Sequence, residues 1–111
     1  MIARIWHGIV TEDKAKGYYQ HLLKSGVVDM KALKGNKGVY IFMRKTDGKA
    51  YFKIISLWDS YESIKAFAGE NYELARYYPE DMDYLIDLEK YVTHYEVLFP
   101  FELTKTFGLV P

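Results

Sequence analysis

The sequence of 111 residues contains no cysteine. A chain without thiols can form no disulfide, has no thiolate nucleophile and offers no cysteine ligand to a metal. This composition is typical of a protein kept in a reducing compartment, and we expect a cytoplasmic location.

The sequence also lacks an excess of charge and a long hydrophobic run. Fifteen basic residues balance fifteen acidic ones, so no electrostatic attraction to nucleic acid or to an anionic membrane is expected. No apolar stretch approaches the length that crosses a bilayer. The N-terminal stretch MIARIWHGIV carries Arg4 and has no hydrophobic core region, so we expect no secretory signal.

Aromatic residues are what the sequence has in excess. They make up 17% of the chain and include eleven tyrosines. Tyrosine combines an apolar ring with a polar tip, so an excess of tyrosine suits a hydrated pocket or an interface. The chain length is that of one domain with a single core.

The order of periodic segments predicts a β-α-β-β-α-β arrangement. This is the ferredoxin-like α+β fold, an antiparallel four-stranded sheet with helices on one face. The supporting signals are the strand ARIWHGIV, a helix from Thr11 to Gly26, a hairpin turning at Asp47-Gly48, a helix between the Asp59/Glu62 capping box and Gly69, a short helix capped by Asn71, and the last strand YVTHYEVLF.

Pairing of these strands predicts two unequal sheet faces. The hairpin turn sets Arg44 opposite Tyr51, Phe42 opposite Lys53 and Tyr40 opposite Ile55. One register of the last strand places Glu96 beside Arg4 and His94 beside Trp6. The mixed face then carries Arg4, Trp6, Tyr40, Phe42, Arg44, Tyr51, Lys53, His94 and Glu96, and the apolar face carries Ala3, Ile5, Ile9, Val39, Ile41, Met43, Phe52, Ile54, Thr93, Tyr95 and Val97. Helices can cover only one face, so a homodimer is expected.

Two stretches, ISLWDSYESIKAFAG and THYEV, together with this element order resemble the dimeric α+β barrel superfamily, and within it the antibiotic biosynthesis monooxygenase (ABM) domain family. The resemblance covers residues 1–98 and leaves 99–111 as an apolar tail. It implies that two subunits pack sheet against sheet, with the apolar face as the barrel interior. The mixed face would look into a pocket between each sheet and its own helices.

The resemblance implies cofactor-independent oxygenation of a phenolic compound as one activity. His94 is then the candidate base, and Arg4 or Tyr77 the group that stabilises the oxyanion. The candidate substrate-binding residues are Trp6, Trp58, Phe67, Tyr78 and Glu96. No cofactor is expected.

Other activities of that family are not expected. Haem degradation there requires an Asn on the first strand, a Trp and a haem-ligating His, whereas this chain has Trp6 or His7, Phe67 and Tyr77 at those positions. Three scattered histidines without close acids predict no metal site.

Structural interpretations compete with each of these roles. Arg4 and Glu96 would form only a cross-strand ion pair, His94 would be a hydrogen-bonded structural residue, and Trp58 would be a core residue. The alternative function is therefore a non-catalytic ligand-binding or stress-associated barrel protein.

The stretch ARYYPEDMDYL, residues 75–85, is expected to join two helices. Pro79 ends the first, Tyr77 faces the ligand, and Tyr78 packs inward. Glu80 and Asp81 should be solvated in the next turn, as should His21 on its helix. The tail PFELTKTFGLVP should lie on the partner subunit or on the rim of its own sheet, because it is too apolar for a disordered end.

Overall fold

A computed structural model describes residues 1–99 and confirms the predicted order of elements. The predicted tail falls outside these residues, apart from Phe99. The strands are β1 (Ile2–Thr11), β2 (Asn36–Thr46), β3 (Lys49–Trp58) and β4 (Thr93–Glu96), and the helices are α1 (Ala15–Lys24), α2 (Gly26–Lys31) and α3 (Tyr61–Ala68), with 3₁₀ turns at Glu12–Lys14 and Pro79–Asp83.

The four strands form one antiparallel sheet in the order β2-β3-β1-β4. The hairpin between β2 and β3 turns at Asp47 (φ 52°) and Gly48 (φ 75°), both in the left-handed conformation that a two-residue hairpin loop requires. As a result the three predicted pairs across this hairpin, Arg44 with Tyr51 among them, are confirmed.

The predicted register of the last strand is wrong by two residues. Arg4 lies opposite His94, and Glu96 lies opposite Ile2. No tight turn links β1 to β4, so nothing local fixes their register. The expected cross-strand pair of Arg4 with Glu96 does not form.

The predicted composition of the two faces is also wrong. Each predicted face joins residues of β1 and β4 to residues of β2 and β3 that lie on the opposite side of the sheet. Trp6 pairs with Ile54 and Ile54 with Ile41, so these three share the helix-covered face, whereas Ile5 shares the other face with Ile55 and Tyr40. We call the helix-covered side the covered face. The other side, the open face, carries Ala3, Ile5, His7, Ile9, Tyr40, Phe42, Arg44, Tyr51, Lys53, Ile55, Leu57, Thr93 and Tyr95.

The core lies between the covered face and the helices. Trp58, Tyr18, Ile64 and Val10 are its most deeply buried large residues. In the helix that supplies Ile64, the N-cap is Ser60, whose hydroxyl accepts the Ser63 amide, so the predicted cap is displaced by one residue from Asp59.

Residues 70–78 do not form the predicted helix. They run as an irregular segment, and Leu74 makes an isolated antiparallel bridge with Tyr91. Pro79 therefore ends no helix and instead begins the 3₁₀ turn Pro79–Asp83. The segment from 70 to 83, which we call the 70–83 segment, contributes several residues to the cavity described below.

The open face has no cover within the described part of the chain. Tyr40, Phe42 and Tyr95 on this face are each about half exposed (48%, 52% and 56%). In residues 1–99 no helix combines the length and apolarity needed to cross a membrane.

Candidate functional site

A cavity lies between the covered face of the sheet, the helices and the 70–83 segment. It leaves about 60 Å³ for the centres of water-sized molecules, which is room for a few waters. Its lining is mostly apolar and aromatic with a few polar groups, as in most small-molecule sites. The lining residues are Arg4, Trp6, Tyr18, Leu22, Ser25, Gly26, Met30, Ile54, Ser56, Phe67, Arg76, Tyr77, Tyr78, Asp81 and Val92.

Arg4 is the charged residue contributed by the sheet. Its side chain comes from the middle of β1, is 4% exposed, and donates hydrogen bonds to the carbonyls of Tyr72 and Leu74. A third N–H is directed at His94 Nε2, 3.2 Å away. No carboxylate in the described residues forms an ion pair with it. Burial lowers the pKa of Arg4 to about 10, so it remains a cation at neutral pH.

His94, the candidate base, lies beside Arg4 but does not line the cavity. Its ring packs edge-on against Tyr72, with ring centroids 5.3 Å apart, and against Tyr61. Because Arg4 can only donate, His94 Nε2 must accept, which places the proton on Nδ1. Burial and the charge of Arg4 lower the pKa of His94 to about 4, so the ring is neutral at pH 7 and only weakly basic.

Trp6 and Tyr77 form one hydrogen-bonded wall of the cavity. The Trp6 indole N–H donates to the Tyr77 hydroxyl over 3.2 Å, and that hydroxyl donates to the carbonyl of Glu89 over 2.6 Å. The indole lies against Gly8, where an added Cβ would come within 2.1 Å of the ring. Glycine at this position therefore lets Trp6 lie flat over the strand.

Tyr78 and Arg76 fasten the 70–83 segment to α2. The Tyr78 hydroxyl donates to Asp29 Oδ2, and Arg76 donates to the same oxygen and to the carbonyl of Phe67. Burial, then the hydrogen bond to Asp29, raises the pKa of Tyr78 well above its usual range. Tyr78 thus lines the cavity, and it does so from an irregular segment and not from the predicted helix.

The sequence analysis missed a buried pair of Asp81 and His21. The Asp81 carboxylate lies 2.7 Å from His21 Nε2, and its other oxygen accepts the Tyr78 amide over 2.7 Å. Asp81 is 4% exposed and the His21 side chain 9%, so the expectation that both are solvated is wrong. An acid three residues after Tyr78 has the spacing that bonds back to a turn's first amide. His21, 60 residues away, gave no local signal.

The remaining predicted residues are divided between the cavity and other places. Phe67 lines the cavity, with the Arg76 guanidinium 4.8 Å from its ring centroid. Trp58 is fully buried behind it, donates to Ser56 Oγ over 2.9 Å and does not line the cavity. Glu96 is exposed at the sheet edge, so neither residue reaches the space where a ligand would sit.

Residues 1–99 contain no group of three or more histidine, aspartate or glutamate side chains that could hold a metal ion. The cavity also does not suit a haem. Its volume is far smaller than a porphyrin, and the Tyr77 hydroxyl is occupied as donor and as acceptor. Burial raises the pKa of Tyr77, which further disfavours the anion that an axial tyrosine ligand must become.

No protein-family profile and no curated protein sequence matches the chain. Solved structures do. A protein from Nitrosomonas europaea, described provisionally as an antibiotic biosynthesis monooxygenase, superposes with a TM-score of 0.63 at 16% identity, over 89% of this chain and 100% of that one. A Bacillus cereus protein with the same provisional description gives 0.60 at 16% identity, over 91% and 96% of the chains.

A third similar structure is an arginine-to-serine variant of MhuD, solved with two manganese protoporphyrin IX molecules per active site. Its TM-score is 0.56 at 15% identity, over 92% of this chain and 99% of that one. These likenesses establish the fold: the chain has the ferredoxin-like α+β architecture of ABM-like proteins. The chemistry depends on the side chains of the cavity.

Proposed function

We propose that the protein binds a small aromatic compound with an ionisable oxygen in this cavity and oxidises it with molecular oxygen, without a cofactor. The proposal rests on one observation above all, the buried guanidinium of Arg4, which has no carboxylate partner within residues 1–99. The aromatic lining of the cavity and the fold shared with ABM-like proteins also support the proposal.

A buried cation is costly unless an anion or several hydrogen bonds compensate it. Of the five N–H groups of Arg4, three are directed at Tyr72, Leu74 and His94, all of them neutral partners. The other two donors have no partner among residues 1–99, and the positive charge has no counter-ion there, on a side chain that lines the cavity. An ionised phenol would supply both the acceptor and the negative charge.

The size and lining of the cavity define the rest of the ligand. A cavity of about 150 Å³ holds benzene, so a one-ring ligand requires the walls to open somewhat, and a polycyclic one does not enter. The 70–83 segment is the wall outside the sheet. Side-chain hydrogen bonds join it to α2 and α3, and backbone hydrogen bonds join it to Lys90 and Val92, so its opening would leave the pairing of β1, β2 and β3 intact. Trp6 and Phe67 offer ring faces and edges for stacking.

A bound phenolate can react with oxygen directly. Its proton is left in water, and Arg4 stabilises the oxyanion, so no protein base is needed. A ring carbon conjugated with the oxygen gives electrons to O₂ and forms a peroxide, which takes up a proton. Loss of the proton on that carbon with cleavage of the O–O bond releases water and leaves a quinone, so that phenol plus O₂ gives quinone plus water.

A specific observation favours a second candidate, a non-catalytic ligand-binding protein. His94 is neutral, and its Nε2 accepts from Arg4, whereas both Asp81 oxygens already accept hydrogen bonds. If the reaction needs a base on the protein, this cavity does not present one. In this second function His94 and Asp81 only hold Arg4 and the 70–83 segment in position.

We also propose that two chains pair through the open face into a homodimer in the cytoplasm. This face combines half-exposed aromatic residues with partly buried Ile5, Ile55 and Leu57. Burial of such a surface on a second copy is the usual way to cover it. The resemblance to dimeric α+β barrels supports the same arrangement.

Titration with 4-nitrophenol tests the binding site, because its anion absorbs visible light and its neutral form does not. Below the solution pKa of this phenol, we expect the protein to increase the visible absorbance to saturation. Arg4→Met should abolish the increase and Arg4→Lys should keep part of it, since the charge remains while the planar fork is lost. Lys24→Met, on the exposed end of α1, should bind as the parent does. No increase with the folded parent protein would refute the site.

Oxygen uptake separates the two candidate functions. With purified protein, a chelator and 1,4-dihydroxybenzene, the oxygenase predicts oxygen uptake that depends on Arg4 and forms one hydroxyquinone and one water per O₂, without release of hydrogen peroxide. Saturable binding without protein-dependent uptake would leave the non-catalytic function.

A further inference from the structure

The hydroxyl of Tyr18 is a polar group in the cavity that no other side chain or backbone group of residues 1–99 binds. Tyr18 comes from α1, is 1% exposed and lines the cavity. No hydrogen bond within residues 1–99 involves its hydroxyl, yet none of the fully enclosed side-chain polar atoms in that range lacks a partner. The hydroxyl must therefore border the open space of the cavity instead of packed protein atoms.

Asp81 reaches the surroundings of Tyr18 through His21, whose ring centroid is 6.0 Å from that of Tyr18 and whose Nε2 is 2.7 Å from the Asp81 carboxylate. Burial, then the charges of Asp81 and Tyr77, raise the pKa of Tyr18 well above its usual range, so the hydroxyl remains neutral and can donate. Asp81 lines the same cavity, and its carboxylate accepts from His21 and from the Tyr78 amide. Since a carboxylate has about four acceptor positions, two remain free.

Tyr18 and Asp81 form a polar site whose chemistry differs from that of the Arg4 cation. A group bound there must donate to the Asp81 carboxylate and can accept from the Tyr18 hydroxyl. A neutral hydroxyl does both with one atom. A carboxylate would be repelled by Asp81. An ethyl group would leave the Tyr18 hydroxyl without a partner and the two free acceptor positions of Asp81 unfilled, which is costly in a buried site.

We propose that the cavity recognises an aromatic ligand with two oxygen substituents, an ionisable oxygen at Arg4 and a neutral hydroxyl held between Tyr18 and Asp81. This inference rests on the proposed function, because it assumes that the cavity takes a phenol. It adds that a second hydroxyl decides which phenols bind well.

Two ligands of nearly equal size test this: 4-hydroxybenzyl alcohol and 4-ethylphenol, which differ by a hydroxyl in place of a methyl group. Dissociation constants are measured by competition against 4-nitrophenol. We expect the alcohol to bind at least about tenfold more tightly, the factor that one net hydrogen bond supplies. 4-Hydroxybenzoate should bind more weakly than both.

The matched variants are Tyr18→Phe and Tyr84→Phe. Tyr84 packs against Tyr18, with ring centroids 5.5 Å apart, but does not line the cavity. Tyr18→Phe should remove most of the preference for the alcohol and leave the melting temperature nearly unchanged, because its hydroxyl has no partner in residues 1–99. Tyr84→Phe should keep the preference.

Each outcome decides one claim. If both ligands bind equally to the parent protein, or if Tyr18→Phe keeps the preference, the second polar site is refuted and the Arg4 site stands. If 4-hydroxybenzylamine, whose ammonium cannot accept from Tyr18, binds more tightly than the alcohol, the site is selective for cations and the hydroxyl assignment is wrong. If no phenol competes, the proposed function fails and this inference fails with it.

Discussion

The two faces of the sheet use similar residues to different ends. On the covered face, Trp58 is fully buried, and Tyr18 of α1, which packs against Phe52 of that face, is almost so. On the open face, Phe42 and Tyr40 are stacked on each other, with centroids 6.2 Å apart, and remain about half exposed. Aromatic content alone therefore does not distinguish a core from a surface in this chain.

The polar groups of the two faces differ as well. On the covered side, Arg4 is buried and hydrogen-bonded, and so is the Asp81–His21 pair, which is contributed by α1 and the 3₁₀ turn Pro79–Asp83. On the open face the charges are exposed, and His7 is 4.0 Å from Glu89 with both side chains about half exposed. The covered face thus borders a cavity within one chain, whereas the open face is the surface through which we propose that two chains pair.

Replacing large residues on each face should give the largest contrast. Trp58→Ala should lower the free energy of unfolding by about 3–5 kcal/mol, since it removes a fully buried ring and leaves a cavity. Phe42→Ala should change the stability of the isolated chain by less than about 1 kcal/mol, because half of its surface is already in water. Urea denaturation at low concentration measures both, and equal losses would contradict the assignment of the faces.

A charge on the open face should weaken the dimer. Phe42→Asp would place an unpaired carboxylate in the interface, and we expect at least about a 100-fold higher dissociation constant, or about 2.7 kcal/mol. Light scattering over a dilution series checks this. Glu62→Asp, on the exposed side of α3, is the control and should leave the assembly unchanged. A parent protein that stays monomeric at high concentration would refute pairing through this face.

Neighbouring acids in the 3₁₀ turn should behave differently. Asp81→Asn should cost about 1–3 kcal/mol, since it weakens two buried hydrogen bonds on the covered side. Glu80→Gln, one residue earlier and exposed, should stay within about 0.5 kcal/mol. Thermal or chemical denaturation of the two variants side by side measures this, and a larger loss for Glu80→Gln would reverse the interpretation.

Acid should lower the free energy of unfolding through His94, and by less than the substitutions above. The pKa of His94 falls from an ordinary 6.5 to about 4 in the folded chain, because of burial and the charge of Arg4. Between these values the unfolded chain binds more protons than the folded one, so stability decreases as the pH is lowered from 6.5 to 4. His94→Asn should flatten this part of the pH–stability curve relative to His7→Asn, and identical curves would contradict the assignment.

The parts of the fold that local chemistry determines could be predicted from the sequence. The dipeptide Asp47-Gly48 predicts the hairpin turn and the residue pairs across β2 and β3. Gly69, at φ 90°, ends α3 as expected. The register between β1 and β4 could not be predicted, because 81 residues separate the two strands and alternation fits several registers. The composition of the two faces could not be predicted for a similar reason, because no tight turn fixes the alternation of β1 relative to the β2–β3 hairpin.

The site could be predicted only in part. Arg4, Trp6, Phe67, Tyr77 and Tyr78 do line one cavity, whereas His94, Trp58 and Glu96 do not. The position of Asp81 after Pro79 in an acidic turn predicts a solvated side chain, whereas its burial depends on His21 of α1 lying against that turn. Contacts between segments 60 residues apart leave no periodic trace in a single sequence.

A crystal structure of the protein with 4-nitrophenol tests the central claim most directly, because it shows where an ionised oxygen settles. We predict the ring between Trp6 and Phe67 and the phenolate oxygen within hydrogen-bond distance of the Arg4 guanidinium. A phenol bound on the open face, or one whose oxygen points away from Arg4 inside the cavity, would contradict the account.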